Sequence, residues 1–137
     1  MWLRKSEGSV TLEEALTLHS SPGTPVYRFH RVRYADDAPM SIRYATVLAA
    51  CMPWLDAVES SLHEALERPG NRPVRALQRL RAVLYTAEQA KLQQIRERDA
   101  ALLVERVGRL KDGRAVLFTQ SYFRCDVYDF VAELSDV

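Results

Sequence analysis

The chain has 137 residues, 47% of them hydrophobic and 27% charged, which is the size and composition of one globular domain with its own core. Nineteen Lys and Arg against eighteen Asp and Glu leave a net charge of +1, which speaks against a dedicated nucleic-acid-binding domain and against disorder. Two cysteines, Cys51 and Cys125, make no disulfide framework and have no metal-ligand spacing.

No apolar run approaches the roughly 18 residues of a membrane span. The start, Met1-Trp2-Leu3-Arg4-Lys5, lacks the apolar stretch of a signal peptide. The expectation is a reduced, cytoplasmic protein with no membrane contact and no cofactor.

The first predicted helix is Thr11 to Leu18. Thr11 and Glu14 have the spacing of a capping box, and Leu12, Ala15, Leu16 and Leu18 supply an apolar side. Ser20 to Pro25 is a stop and turn. Val26 to Tyr34 is β-branched and aromatic, interleaved with Arg28, Arg31 and Arg33, and reads as a strand. Ala35-Asp36-Asp37-Ala38 is a four-residue loop, and Pro39 to Leu48 returns as the second strand of a hairpin.

A loop around Pro53 and Trp54 follows. A helix is expected over 60–67, capped by Ser61 with Glu64 and ended by Arg68-Pro69-Gly70-Asn71. Val74 to Tyr85 alternates. Val74, Ala76, Leu80, Ala82 and Leu84 share one face, and Arg75, Arg79 and Arg81 share the other with Leu77, Val83 and Tyr85. That pattern predicts a long, half-buried antiparallel strand. Thr86 with Gln89 caps a helix to about Gln94. Ala101 to Leu110 and Ala115 to Phe123 are strands of a second hairpin, turned at Asp112-Gly113. Val127 to Leu134 reads as a short helix. The order α-ββ-α-β-α-ββ-α implies an α+β domain, one antiparallel sheet with helices packed on it.

Several stretches then resemble a known family. Arg31-Val32-Arg33-Tyr34-Ala35-Asp36-Asp37-Ala38-Pro39-Met40 resembles the R-x-R-x-x-D/N-x-x-P-M hairpin of the UTRA domain. That domain is the effector-sensing half of HutC-type regulators in the GntR transcription-factor family. Ser60 to Leu66 resembles its helix start, and Glu88 to Ile95 its E-E-A-x-L-L-x-I helix. Asp112-Gly113 and the run from Ser121 to Phe130 resemble its closing segment. The resemblance covers Thr11 to Leu134. It implies a chorismate-lyase-like antiparallel sheet with flanking helices, a homodimer, and a small-molecule effector. Family members read DNA through an N-terminal winged-helix domain. Ten residues precede Thr11, so a single sensing domain without that reader is expected here.

Arg31 and Arg33 lie two apart on a strand, so their side chains share a face. Two guanidiniums on one face suit a bidentate phosphate or carboxylate between them. The alternative is an exposed face whose arginines pair with Asp or Glu. The resemblance implies that both line the effector pocket and hold its anionic group. Ser61 and His63 stand at a helix start, where free N–H groups favour anions. Ser61 is otherwise a plain cap, and His63, often Tyr in the family, either bonds ligand or fills space.

Three positions depart from relatives that sense amino-sugar phosphates. Arg43 replaces a Glu, Leu117 a second acidic residue, and Phe123 a Tyr. The expected ligand is therefore a small anionic metabolite with a flat or aliphatic body, such as an aromatic or acyl carboxylate. If Arg43 lies instead on an exposed edge strand, its identity says nothing about the ligand. Arg124, Asp126 and Tyr128 are expected to be structural, and Trp54 a core plug. His19, His30 and His63 lie in separate elements, with no catalytic or metal motif. Two other functions fit the same sequence: a chorismate-lyase-like enzyme, and a stand-alone dimerising module.

Overall fold

The computed structural model describes residues 2–52, 55, 62–67, 70–126, 129, 131 and 133–135. Six strands form one sheet in the order β1-β2-β3-β6-β5-β4, with every neighbouring pair antiparallel. The strands are β1 Trp2–Ser9, β2 Pro25–Ala35, β3 Ala38–Leu48, β4 Arg75–Leu84, β5 Ala100–Arg109 and β6 Ala115–Arg124. Among the described residues three α-helices accompany them: α1 Leu12–Leu18, α2 Leu62–Glu67 and α3 Ala87–Gln93.

The α1 and α3 starts follow directly from sequence. Thr11 accepts from the Glu14 N–H while Glu14 accepts from the Thr11 N–H, and Thr86 and Gln89 repeat the exchange. The Ser61–Glu64 box lies outside the described residues. Glu14 also anchors α1 to the sheet. Its carboxylate accepts from Arg28 Nε at 3.0 Å and from the Thr46 hydroxyl at 2.8 Å. Burial opposes its charge, yet Arg28, the Thr11 amide and Thr46 outweigh that and bring its pKa down to about 2.

The β2–β3 loop is shorter than expected. Ala35 pairs with Ala38, so only Asp36 and Asp37 turn the chain, with φ of 49° and 68°. Two successive positive φ values define the type I′ hairpin turn, whose twist matches the flanking strands. At the other hairpin Gly113 adopts φ 92°, as Asp-Gly predicts.

Three elements differ from the sequence reading. The segment before α1 is strand β1, paired along β2 from Trp2–Arg31 to Ser9–Pro25. Its mixed composition carries no alternation; the edge of β2 recruits it. The described tail residues 129, 131 and 133–135 are not helical. Finally, β4 is nearly all exposed, with Leu77 at 68% and Leu84 at 53%. Alternation correctly makes it a strand, but it ends the sheet. Similarly Leu12 and Leu16 on α1 are exposed, because Glu14 and Leu18 take the inward positions.

The core has two sides. On one sheet face Phe29, Ala45, Val47 and Leu117 pack with Cys51 and with Leu62 and Leu66 of α2. On the other, Val32, Ile42, Tyr85 and Ala101 pack with Ala90 of α3, and Leu18 of α1 meets Phe118. Cys51 is therefore a buried thiol, whereas Cys125 is exposed; both are free.

Candidate functional site

Directly opposed residues on neighbouring strands project to the same face. On the face that carries α2, Arg31, Arg43, Ser121 and Val104 are successive partners across β2, β3, β6 and β5. The adjoining row on that face is Arg33, Ser41, Phe123 and Leu102. The row on the other side is Phe29, Ala45, Thr119, Arg106 and Gln78. Four of the six residues singled out from sequence, Arg31, Arg33, Arg43 and Phe123, thus occupy two adjoining rows of one face. Ser61 and the side chain of His63 lie outside what the structure describes, as do Trp54 and Tyr128.

Arg43 sits in the sheet interior, because β3 lies between β2 and β6. The edge-strand alternative for it therefore falls. Its Nε donates to the Ser121 hydroxyl at 3.3 Å. Burial first, then the charges of Arg33, Arg106 and Arg31, lower its pKa from the ordinary guanidinium value to about 10. Burial and then Arg33 also lower Arg31. The Arg31 guanidinium lies 4.5 Å from the centre of the Trp2 ring, a cation–π contact supplied by β1. Ser41 is 1% exposed, and its hydroxyl has no hydrogen-bond partner among the described residues. The face thus concentrates positive charge over a floor that mixes small hydroxyls with apolar side chains. It offers donors to an anion and no described acid to neutralise Arg43.

The opposite face has another character. His30 stacks on Tyr44 with ring centres 4.3 Å apart, and Tyr44 meets Tyr122 edge-on. Burial lowers the His30 pKa and favours a neutral ring. No group of three metal-ligating side chains exists among the described residues.

The model of the UTRA domain family matches residues 1–129. The chain belongs to that family. Among curated relatives it is similar to the HTH-type transcriptional regulator GgaR of Escherichia coli K12, 27% identical over 133 residues, covering 97% of this chain and 54% of GgaR. It is also similar to the HTH-type transcriptional repressor NagR of Bacillus subtilis, 31% identical over 124 residues, covering 88% of this chain and 51% of NagR. The chain therefore spans about half the length of these relatives. Among solved structures, the effector domain of PhnF from Mycobacterium smegmatis superposes with a TM-score of 0.91 at 23% identity, over 98% of this chain and 85% of that one. That likeness establishes the fold: the antiparallel sheet with helices is the UTRA, chorismate-lyase-like arrangement of GntR-family effector domains.

Within this UTRA domain the closing segment is structural at its described end. Arg124 donates to both Asp126 oxygens, at 3.0 and 2.6 Å, and to the Pro39 carbonyl at 3.2 Å, tying the end of β6 to the start of β3. Leu117 is core, packed beneath α2. Trp2, Ser41, Arg106 and Ser121 escaped the sequence reading. Period-two counting from Arg43 and Phe123 finds Ser41 and Ser121. Arg106 and Trp2 become visible only once strand register is known.

Proposed function

We propose that this UTRA domain senses a small anionic metabolite for a GntR/HutC-type transcriptional regulator, with Arg31 and Arg33 holding the anion. The observation that carries this reading is the cross-strand pairing of Arg31 with Arg43, with Arg33 on the adjoining row of the same face. Ser61 supplies a further donor. Arg43, His63 and Phe123 set selectivity, and the basic, apolar surround favours an aromatic or acyl carboxylate over an amino-sugar phosphate.

Bound anion relieves repulsion among the guanidiniums and draws β2, β3 and the α2 side of the pocket together. In the cell the domain acts in the cytoplasm as a homodimer, and exposed β4 side chains such as Leu77 and Leu84 support self-association. DNA is reached through a winged-helix domain, to which ligand binding is coupled by about 1–3 kcal/mol.

The test is a thermal-shift screen of carboxylates and phosphates, followed by calorimetry. Arg31→Ala abolishes ligand-dependent stabilisation and keeps the fold; stabilisation unchanged in that variant overturns the assignment. Micromolar binding of glucosamine-6-phosphate or N-acetylglucosamine-6-phosphate overturns the ligand class.

A further inference from the structure

The two faces of the sheet treat their arginines differently. On the α1 and α3 side two arginines meet carboxylates. Arg28 pairs with Glu14 at 2.6 Å and Arg81 with Glu105 at 3.2 Å. On the α2 side the described hydrogen-bond partners of Arg43 and Arg106 are neutral. Arg43 donates to the Ser121 hydroxyl, and Arg106 donates from Nε and from a terminal nitrogen to the Gln78 side-chain carbonyl. A hydroxyl and an amide orient a guanidinium without cancelling its charge.

Arg106 comes from β5 and Arg43 from β3, with β6 between them. At about 4.8 Å per strand the two backbones stand about 10 Å apart, on rows one repeat apart. Arg106 is among the charges that act on Arg43, so the two heads share one field. Arg106 is exposed and Arg43 half-buried, so the pair runs from the rim of the face toward its floor. The buried Ser41 hydroxyl, which has no hydrogen-bond partner among the described residues, lies on the adjoining row beside Arg43. Such an orphan donor on the same floor points to a polar ligand atom there.

We propose that the effector carries two anionic groups, one on Arg31 and Arg33 and the second between Arg43 and Arg106, with Ser121 and Gln78 as positioning residues. This rests on the anion site proposed above and adds a second subsite to it. The separation of the two arginine pairs across β2, β3 and β6 sets the anionic groups about 5–10 Å apart. Phe123 on β6, opposite Ser41, then flanks the body that joins them, and Val104 on β5 flanks the second anion. A dicarboxylate is the simplest such molecule.

The test is calorimetric titration of the whole chain with the α,ω-dicarboxylates from succinate to suberate and with straight-chain monocarboxylates of equal length. At least one dicarboxylate binds about tenfold or more tightly than its monocarboxylate counterpart. Arg106→Gln removes that advantage by weakening dicarboxylate binding more than monocarboxylate binding; Arg43→Gln, tested separately, removes it as well. Equal binding of the two series in wild type, or an advantage that survives both substitutions, overturns the second subsite. Failure of the underlying site has another signature: Arg31→Ala leaves monocarboxylate binding untouched, or neither series binds at millimolar concentration. Either result overturns both subsites.

Discussion

Replacing Arg43 with methionine stabilises the ligand-free protein. Methionine keeps an unbranched, adaptable stem and removes the charge. The fall of the Arg43 pKa from the ordinary guanidinium value to about 10 corresponds to about 3 kcal/mol, at roughly 1.4 kcal/mol per pH unit. The sign follows from linkage. A base whose pKa is lower in the folded state costs stability wherever it is protonated in both states. That cost is fully present below about pH 10 and shrinks as pH rises toward 12.5. At neutral pH the whole cost applies.

Against it stand the hydrogen bond to Ser121, worth about 1 kcal/mol, and some packing of the arginine stem. The net gain is then about 1–2 kcal/mol, or roughly 3–8 °C in melting temperature for a domain of this size. The assay is reversible thermal or urea unfolding of wild type and Arg43→Met at pH 7 and low salt. Added sulfate narrows the difference, because an anion at the site screens wild type alone. A variant less stable than wild type by 1 kcal/mol or more refutes the reasoning, with the magnitude judged against the usual worth of one hydrogen bond. Arg43 would then be a structural cation whose charge the fold already satisfies.

Glu14→Gln costs about 1–3 kcal/mol at pH 7, allowing for screening at the partly exposed Arg28. Because the Glu14 pKa is depressed from 4.5 to about 2, that contribution is present above about pH 4.5 and fades as pH falls toward 2. Urea titrations from pH 7 to 2 therefore show the two proteins converging; a constant difference contradicts the assignment. Asp37→Gly gains about 0.5–1 kcal/mol, because glycine takes the φ of 68° without the clash an L side chain meets there. Chemical denaturation reads it, and a loss of stability means the turn is held by its aspartates. Leu77→Lys on β4 shifts the sedimentation profile toward monomer with the melting temperature nearly unchanged, since Leu77 is 68% exposed. An unaltered oligomeric state removes β4 from the interface.

Local signals in this chain were reliable where the cause is local. The Thr11–Glu14 and Thr86–Gln89 boxes form because three residues contain both donors and both acceptors. The Asp112-Gly113 turn forms because glycine tolerates its φ. Strands β2, β3, β5 and β6 are legible because the core covers them. The misses at β1 and β4 share one cause, a partner distant in sequence. Strand β1 exists because β2 has an edge to offer, so its own residues do not announce it. The β4 alternation looks half-buried, yet burial depends on which strand ends the sheet.

The candidate site divides along the same line. Sequence by itself placed Arg31 and Arg33 on one face, since alternation is a property of a single strand. It also identified the family, since motif order survives without coordinates. Only the tertiary structure set Arg43 opposite Arg31, brought Phe123 beside Ser41 and Arg33, and carried Arg106 in from β5. The reason is register. Which residues face one another across a sheet is decided by hairpin length and strand order, and a slip of one residue sends every side chain to the other face. The two-residue Asp36-Asp37 turn starts the β2–β3 pairing, and the register shift between Tyr34 and Arg33 then sets Arg31 opposite Arg43, and with it the charge of the site.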